Sequence, residues 1–216
     1  MQPFKLYMHT AACSLSPHIV CRELGFEVEL VPVDRASHRT PDGRDYLALN
    51  GNGYVPLLEL ADGTRLMEGP AIVQYLADLK PEAGLVPPAG TLERVRLQSW
   101  LNFISTELHK PLAMQFHFAA SREQLAQLAS KRLTWLAGEL NGPYLMGARF
   151  SVADAYLFVC LNWTQFLNFD LSPWPKLTDL MRRVAARPAV QQALAAEGLV
   201  PRDGGGFYFT MSKAAA

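Results

Sequence analysis

Two periodicities divide the chain. Up to about residue 82 the apolar runs are short and separated by turn residues, whereas beyond residue 92 apolar side chains recur every three or four positions. Residues 4–8 (FKLYM) predict a strand, 14–24 a helix closed by Gly25 at the C′ position, and 27–33 a second strand. Pro32 lies in that second strand and has no N–H to give a neighbour, which predicts a sheet edge or a bulge. The β-α-β opening has a crossover long enough for parallel pairing. Residues 35–50 are polar, with a short helix around 45–49, and Gly51-Asn52-Gly53 turns into Tyr54-Val55-Pro56 and a strand over 57–60. Asp62-Gly63 predicts a hairpin to a strand at 64–67. Glu68-Gly69-Pro70 then opens a helix over 71–79, with proline suited to the first turn. The order is β-α-β-α-β-β-α, and PEAGLVPPAG at 81–90 reads as an interdomain linker.

The second part is helical throughout. Residues 92–118 carry Leu97, Trp100, Leu101, Ile104 and Leu108 at helical spacing, and Pro111 within them must kink or split the run. Residues 122–140 form another helix, stopped by Asn141-Gly142-Pro143. Ser151 with Asp154 three positions on makes a capping-box arrangement. The helix it opens, 153–169, is apolar on most faces and is expected to run through the centre of the bundle. Helices at 175–186 and 188–197 complete it. The expected organisation is an α/β domain at 1–82, a linker at 83–92, an all-helical domain at 93–200 and a mobile tail at 201–216, where Gly204-Gly205-Gly206 precedes an alanine end.

Composition narrows the classes of function. Twenty basic residues balance twenty acidic ones among the 216, so no electrostatic footprint for nucleic acid or an anionic membrane is present. No apolar run reaches the roughly 18 residues a membrane span needs. The first residues, MQPFKLYMH, lack the pattern of a secretory signal. Cys13, Cys21 and Cys160 are an odd count without a Cys-x-x-Cys pair, which speaks against a disulfide framework or zinc and for a reducing cytoplasm. His9, His18 and His117 show no metal-ligand spacing and are read as structural, and no metal site is expected.

One stretch carries chemistry. Between the first strand and first helix, Thr10-Ala11-Ala12 leads to Cys13, followed by Ser14-Leu15-Ser16-Pro17 with Ser14 as a candidate N-cap. A thiol at a helix N-terminus meets unpaired N–H groups and the positive end of the dipole, which lower its pKa if it is exposed. If it is buried, it is a small packing residue.

A thiol at the first helix of such a domain, with helices behind it, suggests a thioredoxin-like fold followed by an all-helical bundle. Val55-Pro56 before the third strand, Glu68-Gly69 at the mouth of the third helix and the Ser151/Asp154 cap together resemble a cytosolic-type glutathione transferase. The runs Ala12-Cys13-Ser14-Leu15-Ser16-Pro17-His18, Trp100-Leu101-Asn102-Phe103-Ile104 and Glu107-Leu108-His109-Lys110 resemble the bacterial beta class, and the likeness extends from Lys5 to about Leu199.

The resemblance implies a site. Pro56 would follow a cis peptide and turn the Val55 N–H and C=O toward glutathione, which would pair with them as an added strand. Glu68 would meet the γ-glutamyl ammonium, and the Gly69 N–H the γ-glutamyl carboxylate, at a positive helix end. Asn102, Thr106 and His109 share a helical face, opposite Trp100, Ile104 and Leu108, that would border glutathione. His109 would take a proton or stabilise thiolate as imidazolium, with Lys110 adding positive potential. His38 stands where relatives carry lysine for the glycyl carboxylate. Met8 replaces a common tyrosine, and Tyr7, one residue off, should face the other side of the sheet. Phe116, Phe118 and Trp163 are the expected electrophile pocket, or else core. Cys21 and Cys160 are expected in the core.

The activity implied is conjugation of glutathione, as co-substrate without a further cofactor, to hydrophobic electrophiles by a cytoplasmic homodimer. Cys13 acts there either as a redox nucleophile that forms a mixed disulfide with glutathione, or as a polarising group. Alternatives are a thiol-disulfide reductase, dehalogenase or isomerase on the same fold, or a non-catalytic binding or stress protein.

Overall fold

The computed structural model describes residues 3–201 and 209–211. Strand β1 (Phe4–Met8), helix α1 (Leu15–Glu23), β2 (Val28–Pro32), α2 (Tyr46–Leu49), β3 (Leu57–Glu59), β4 (Arg65–Met67) and α3 (Gly69–Asp78) follow in the expected order. They build a four-stranded sheet, β2-β1-β3-β4, with β1 and β2 parallel and the other pairs antiparallel. Strand β2 is an edge and Pro32 is its last residue, which resolves the proline's missing donor. The two faces of β1 are unequal. Leu6 and Met8 point into the main core with α1 and α3, while Tyr7 joins Tyr46, Val55 and Leu57 in a smaller cluster on the reverse face. Tyr7 donates its hydroxyl to Glu59, away from Cys13.

The helical part comprises α4 (Leu92–Phe103), α5 (Lys110–His117), α6 (Arg122–Glu139), α7 (Val152–Asn162), α8 (Pro175–Ala185) and α9 (Pro188–Ala196). Every residue of α7 is buried, as an all-round apolar helix must be. Its first turn is fixed by Asp154, which accepts the Ser151 N–H at 2.8 Å, the Ser151 hydroxyl at 2.7 Å and the Leu145 N–H at 2.8 Å. The helix stops at Asn162, short of the expected 169, and continues as a 3₁₀ turn over Trp163–Leu167 until Asn168 takes a left-handed conformation at φ 53°.

Between α4 and α5 the chain forms a π-helical turn, Ile104–His109, with the Lys110 N–H bonded to the Ser105 carbonyl five residues back. Pro111 supplies the cause: it has no N–H for the Glu107 carbonyl, and its ring crowds that carbonyl, so the preceding turn widens. The 81–90 segment is docked on the molecule. Leu85 and Val86 are buried, and the Leu85 carbonyl accepts the Val152 N–H at 3.1 Å.

Of the tail expected to be mobile, residues 201 and 209–211 are described. Strand β5 (Leu199–Pro201) pairs with β6 (Phe209–Met211), and Phe209 is fully buried with its ring 6.3 Å from that of Phe158 on α7. Residues 202–208, including Gly204-Gly205-Gly206, and 212–216 lie outside the described residues. Among the described residues no helix is long and apolar enough to cross a membrane.

Candidate active site

Cys13 sits in the turn between β1 and α1, and the local hydrogen bonds show how that turn is built. Ser14 does not cap α1. Its hydroxyl reaches back to the His9 carbonyl at 3.1 Å and accepts the His9 N–H at 3.3 Å, which closes the 9–14 loop. Ala11 lies at φ 61°, a conformation disfavoured for any residue with a Cβ. It is held there from the helical part of the chain: its N–H goes to Glu197 Oε2 at 3.1 Å, and its carbonyl accepts the Trp163 indole N–H at 2.9 Å. Glu197 follows α9 and also pairs with His18 of α1 at 2.9 Å, with both side chains buried.

The Cys13 sulfur is a neutral thiol. Burial pushes it up to about 11, outweighing the pull of its own and the Ser14 N–H and the positive charge of Arg35, while Glu68 adds to the rise. The lowering expected of an exposed thiol at a helix end is outweighed in the free protein by desolvation of this half-buried sulfur. The thiol donates to the Val55 carbonyl at 3.2 Å.

Val55-Pro56 is a cis peptide, and the preceding Tyr54 carbonyl is pinned by the Tyr46 hydroxyl at 2.7 Å and the Asn50 amide at 2.8 Å. The start of α3 lies against it: a Cβ built on Gly69 would come 3.7 Å from the Pro56 ring. Glu68 caps that helix at φ 67°, a strained conformation of the kind found where a side chain is aimed at a ligand. Its charge acts on Cys13. Cys13, Val55, Pro56, Glu68 and Gly69 thus lie together.

The helical side of the site differs from expectation at His109. The π turn rotates it off the face of Asn102 and Thr106, which stay exposed, the Thr106 hydroxyl bonding the Asn102 carbonyl at 3.1 Å. His109 turns inward instead. Its Nδ1 lies 2.5 Å from the Tyr156 hydroxyl, and its ring packs edge-on against Trp163 at 4.9 Å. Burial, with Lys110 adding to it, pushes the imidazole down to about 4, so in the free protein it is neutral at physiological pH. Lys110 projects toward the other wall, its ammonium 6.0 Å from the exposed Tyr54 ring.

The remaining positions are split. His38, at φ 51°, lies with its ring over Gly53. Arg35, not singled out from the sequence, is the cation near enough to lower both Cys13 and His9. Phe116 and Phe118 are exposed on and just after α5, while Trp163 is buried and committed to His109 and Ala11, so these three do not form one wall. Tyr156 was also missed. A lone phenol on an otherwise apolar buried helix was the available signal, since its hydroxyl needs a partner. Cys21 and Cys160 are buried in the core.

Comparison with known proteins fits this geometry. The N-terminal domain model of glutathione S-transferases matches residues 11–79, and the C-terminal domain model matches 103–188. Glutathione S-transferase GstA of Escherichia coli O157:H7 is 42% identical over 200 residues, 90% of this chain and 99% of the relative. The structure is similar to that of BphK, a bacterial glutathione transferase in a ternary complex, at 54% identity and a TM-score of 0.88 over 90% of this chain and all of that one. A sphingomonad glutathione S-transferase complexed with glutathione matches at 42% identity and a TM-score of 0.86, covering 91% of this chain and 100% of that one. The chain belongs to the glutathione S-transferase family. Within it, it is a glutathione transferase of the bacterial beta type.

Proposed function

We propose that this protein conjugates glutathione to hydrophobic electrophiles, the sulfur being activated between Cys13 and His109. The observation that carries the reading is that Cys13, the Val55 carbonyl and Glu68 lie together, and that Trp163 joins the Cys13 loop to His109 by bonding the Ala11 carbonyl and packing on the imidazole. The Val55 backbone suits the cysteinyl backbone of glutathione, Glu68 its ammonium and Gly69 its γ-glutamyl carboxylate. Arg35 and His38 border the loop where the glycyl carboxylate would lie, and Asn102 and Thr106 remain outer candidates. With its pKa at about 11, Cys13 serves as an S–H donor to the thiolate of glutathione rather than as a thiolate itself. Phe116 and Phe118 are the proposed walls for the electrophile, and Trp163 supports His109 behind them. No cofactor beyond glutathione enters this reading, and the proposed compartment is the cytoplasm. A homodimer is proposed because Leu92 and Val95 on α4 and Met67 on β4 are exposed apolar side chains.

The test compares wild type with Cys13→Ala for glutathione binding, conjugation of a chloro-nitroaromatic and turnover of a glutathione mixed disulfide. Conjugation that falls while disulfide turnover is negligible in both supports the reading. Disulfide turnover exceeding conjugation, and lost in the variant, would replace it with the thiol-disulfide reductase. Wild type that binds no glutathione would remove both.

A further inference from the structure

His109 Nδ1 faces the Tyr156 hydroxyl. We propose that Tyr156 is a positioning residue, whose phenol O–H donates to His109 Nδ1 and holds the imidazole as the Nε2–H tautomer, a hydrogen-bond donor to the sulfur nucleophile. The inference rests on the reading above for the identity of that sulfur.

The geometry is short and enclosed. Tyr156 Oη and His109 Nδ1 are 2.5 Å apart, Tyr156 is almost wholly buried on α7, and Ser105 of the π turn lies near enough to the phenol to oppose the rise of its pKa. Burial raises the phenol well above its ordinary pKa, with Cys160 and Cys13 adding to the rise, so both partners are neutral. Between two neutral groups one proton lies in the bond, and its position decides what the free nitrogen can do.

If the chain of donors ran from His109 to Tyr156, Nε2 would present a lone pair to a site where negative charge develops on sulfur. With an imidazole pKa near 4 that lone pair is too weak a base to hold a thiol proton. If it runs from Tyr156 to His109, the phenol O–H, deep in the core, finds its acceptor in Nδ1. The exposed end of the chain is then an N–H suited to an anion. Trp163, edge-on at 4.9 Å, restricts the ring flip that would exchange the two nitrogens. The π turn is part of the device, since a regular helix would leave His109 on the Asn102 face.

The tautomer is read directly from long-range proton–nitrogen spectra of the whole protein labelled with ¹⁵N-histidine, at neutral pH and without glutathione. A protonated Nε2 and bare Nδ1 on His109 are expected, and the opposite pattern overturns the proposal. Tyr156→Phe, which keeps the ring in the core, is expected to lower kcat about 10- to 100-fold, as removal of a histidine-orienting partner does elsewhere. KM for glutathione should stay within about twofold. In a His109→Ala background the same change should have no further effect on kcat, whereas an equal loss there means that Tyr156 acts on stability and not through His109. Because the wild-type tautomer needs no variant and no ligand, a variant that fails to fold leaves the nitrogen assignment decisive. Glutathione binding by wild type tests the functional reading separately.

Discussion

The Cys13 thiol donates to the Val55 carbonyl at 3.2 Å, so the sulfur occupies the acceptor that an added strand would use for its first N–H. Glutathione that pairs with Val55 competes with this weak S–H donor for the carbonyl, and an S–H that gives way is free to turn toward the incoming sulfur.

The free protein should therefore alkylate slowly. With a thiol at about 11, roughly one molecule in a thousand carries thiolate at pH 8. The rate of Cys13 modification by iodoacetamide, followed by mass spectrometry, is expected to climb through pH 9 without levelling. A plateau below pH 8 would show an activated thiolate.

His109 should not titrate in the working range. Its imidazole is neutral above about pH 4, so conjugation should show no limb from it between pH 5 and 8. His109→Ala is expected to lower kcat by about a hundredfold or more, by the same factor at pH 6 and at pH 8. A loss that shrinks at pH 6 contradicts a neutral His109.

Glu197 should matter at a distance from the chemistry. It accepts both the Ala11 N–H and His18 Nδ1 in a buried setting. Glu197→Ala leaves those groups unpaired and is expected to cost about 2–3 kcal/mol in urea unfolding, and to raise KM for glutathione through the loosened 9–14 loop. Glu197→Gln keeps one acceptor and should cost less. Equal stability in both variants and wild type rules the contact out.

Asp154 gives a pH signature of the fold. Burial raises its folded pKa to about 6, above the 3.8 of the free group, despite the Leu145 and Ser151 donors. The unfolded chain therefore releases this proton first. The contribution of Asp154 to stability is fullest below about pH 4 and declines as pH rises through about 6. Asp154→Asn, which loses acceptors, should be less stable throughout, but its deficit against wild type should narrow between pH 4 and 6 in denaturant titrations. A deficit that widens over that interval would reverse the assigned shift.

Local signals in the sequence were reliable where one residue type has one physical use. Pro32 pointed to an edge or a bulge and lies on an edge strand, Asp62-Gly63 marked the hairpin, and Ser151 with Asp154 the start of α7. The fold followed from these signals, and the placing of Val55-Pro56 beside Glu68-Gly69 came from the resemblance, since the two pairs flank one hairpin. The helical half of the site did not follow, since a helical wheel assumes a constant turn. Pro111 was read as a break, but the widened turn it imposes on residues 104–109 could not be placed, and that turn decides where His109 points. The contacts of Ala11 with Glu197 and Trp163, and of His18 with Glu197, join positions more than 150 residues apart, which no local pattern encodes.

Ala11 has a consequence for how such chains diverge. Its two backbone groups are gripped by residues from far along the sequence, and its own conformation is one that few side chains accept. The halves of the molecule are therefore not interchangeable modules. A hybrid joining the first half of one relative to the second half of another inherits a formed catalytic loop only if the carboxylate, the indole and a left-handed loop residue arrive as a matched set. Those three positions must be inherited together, although only one of them lies near the cysteine in sequence.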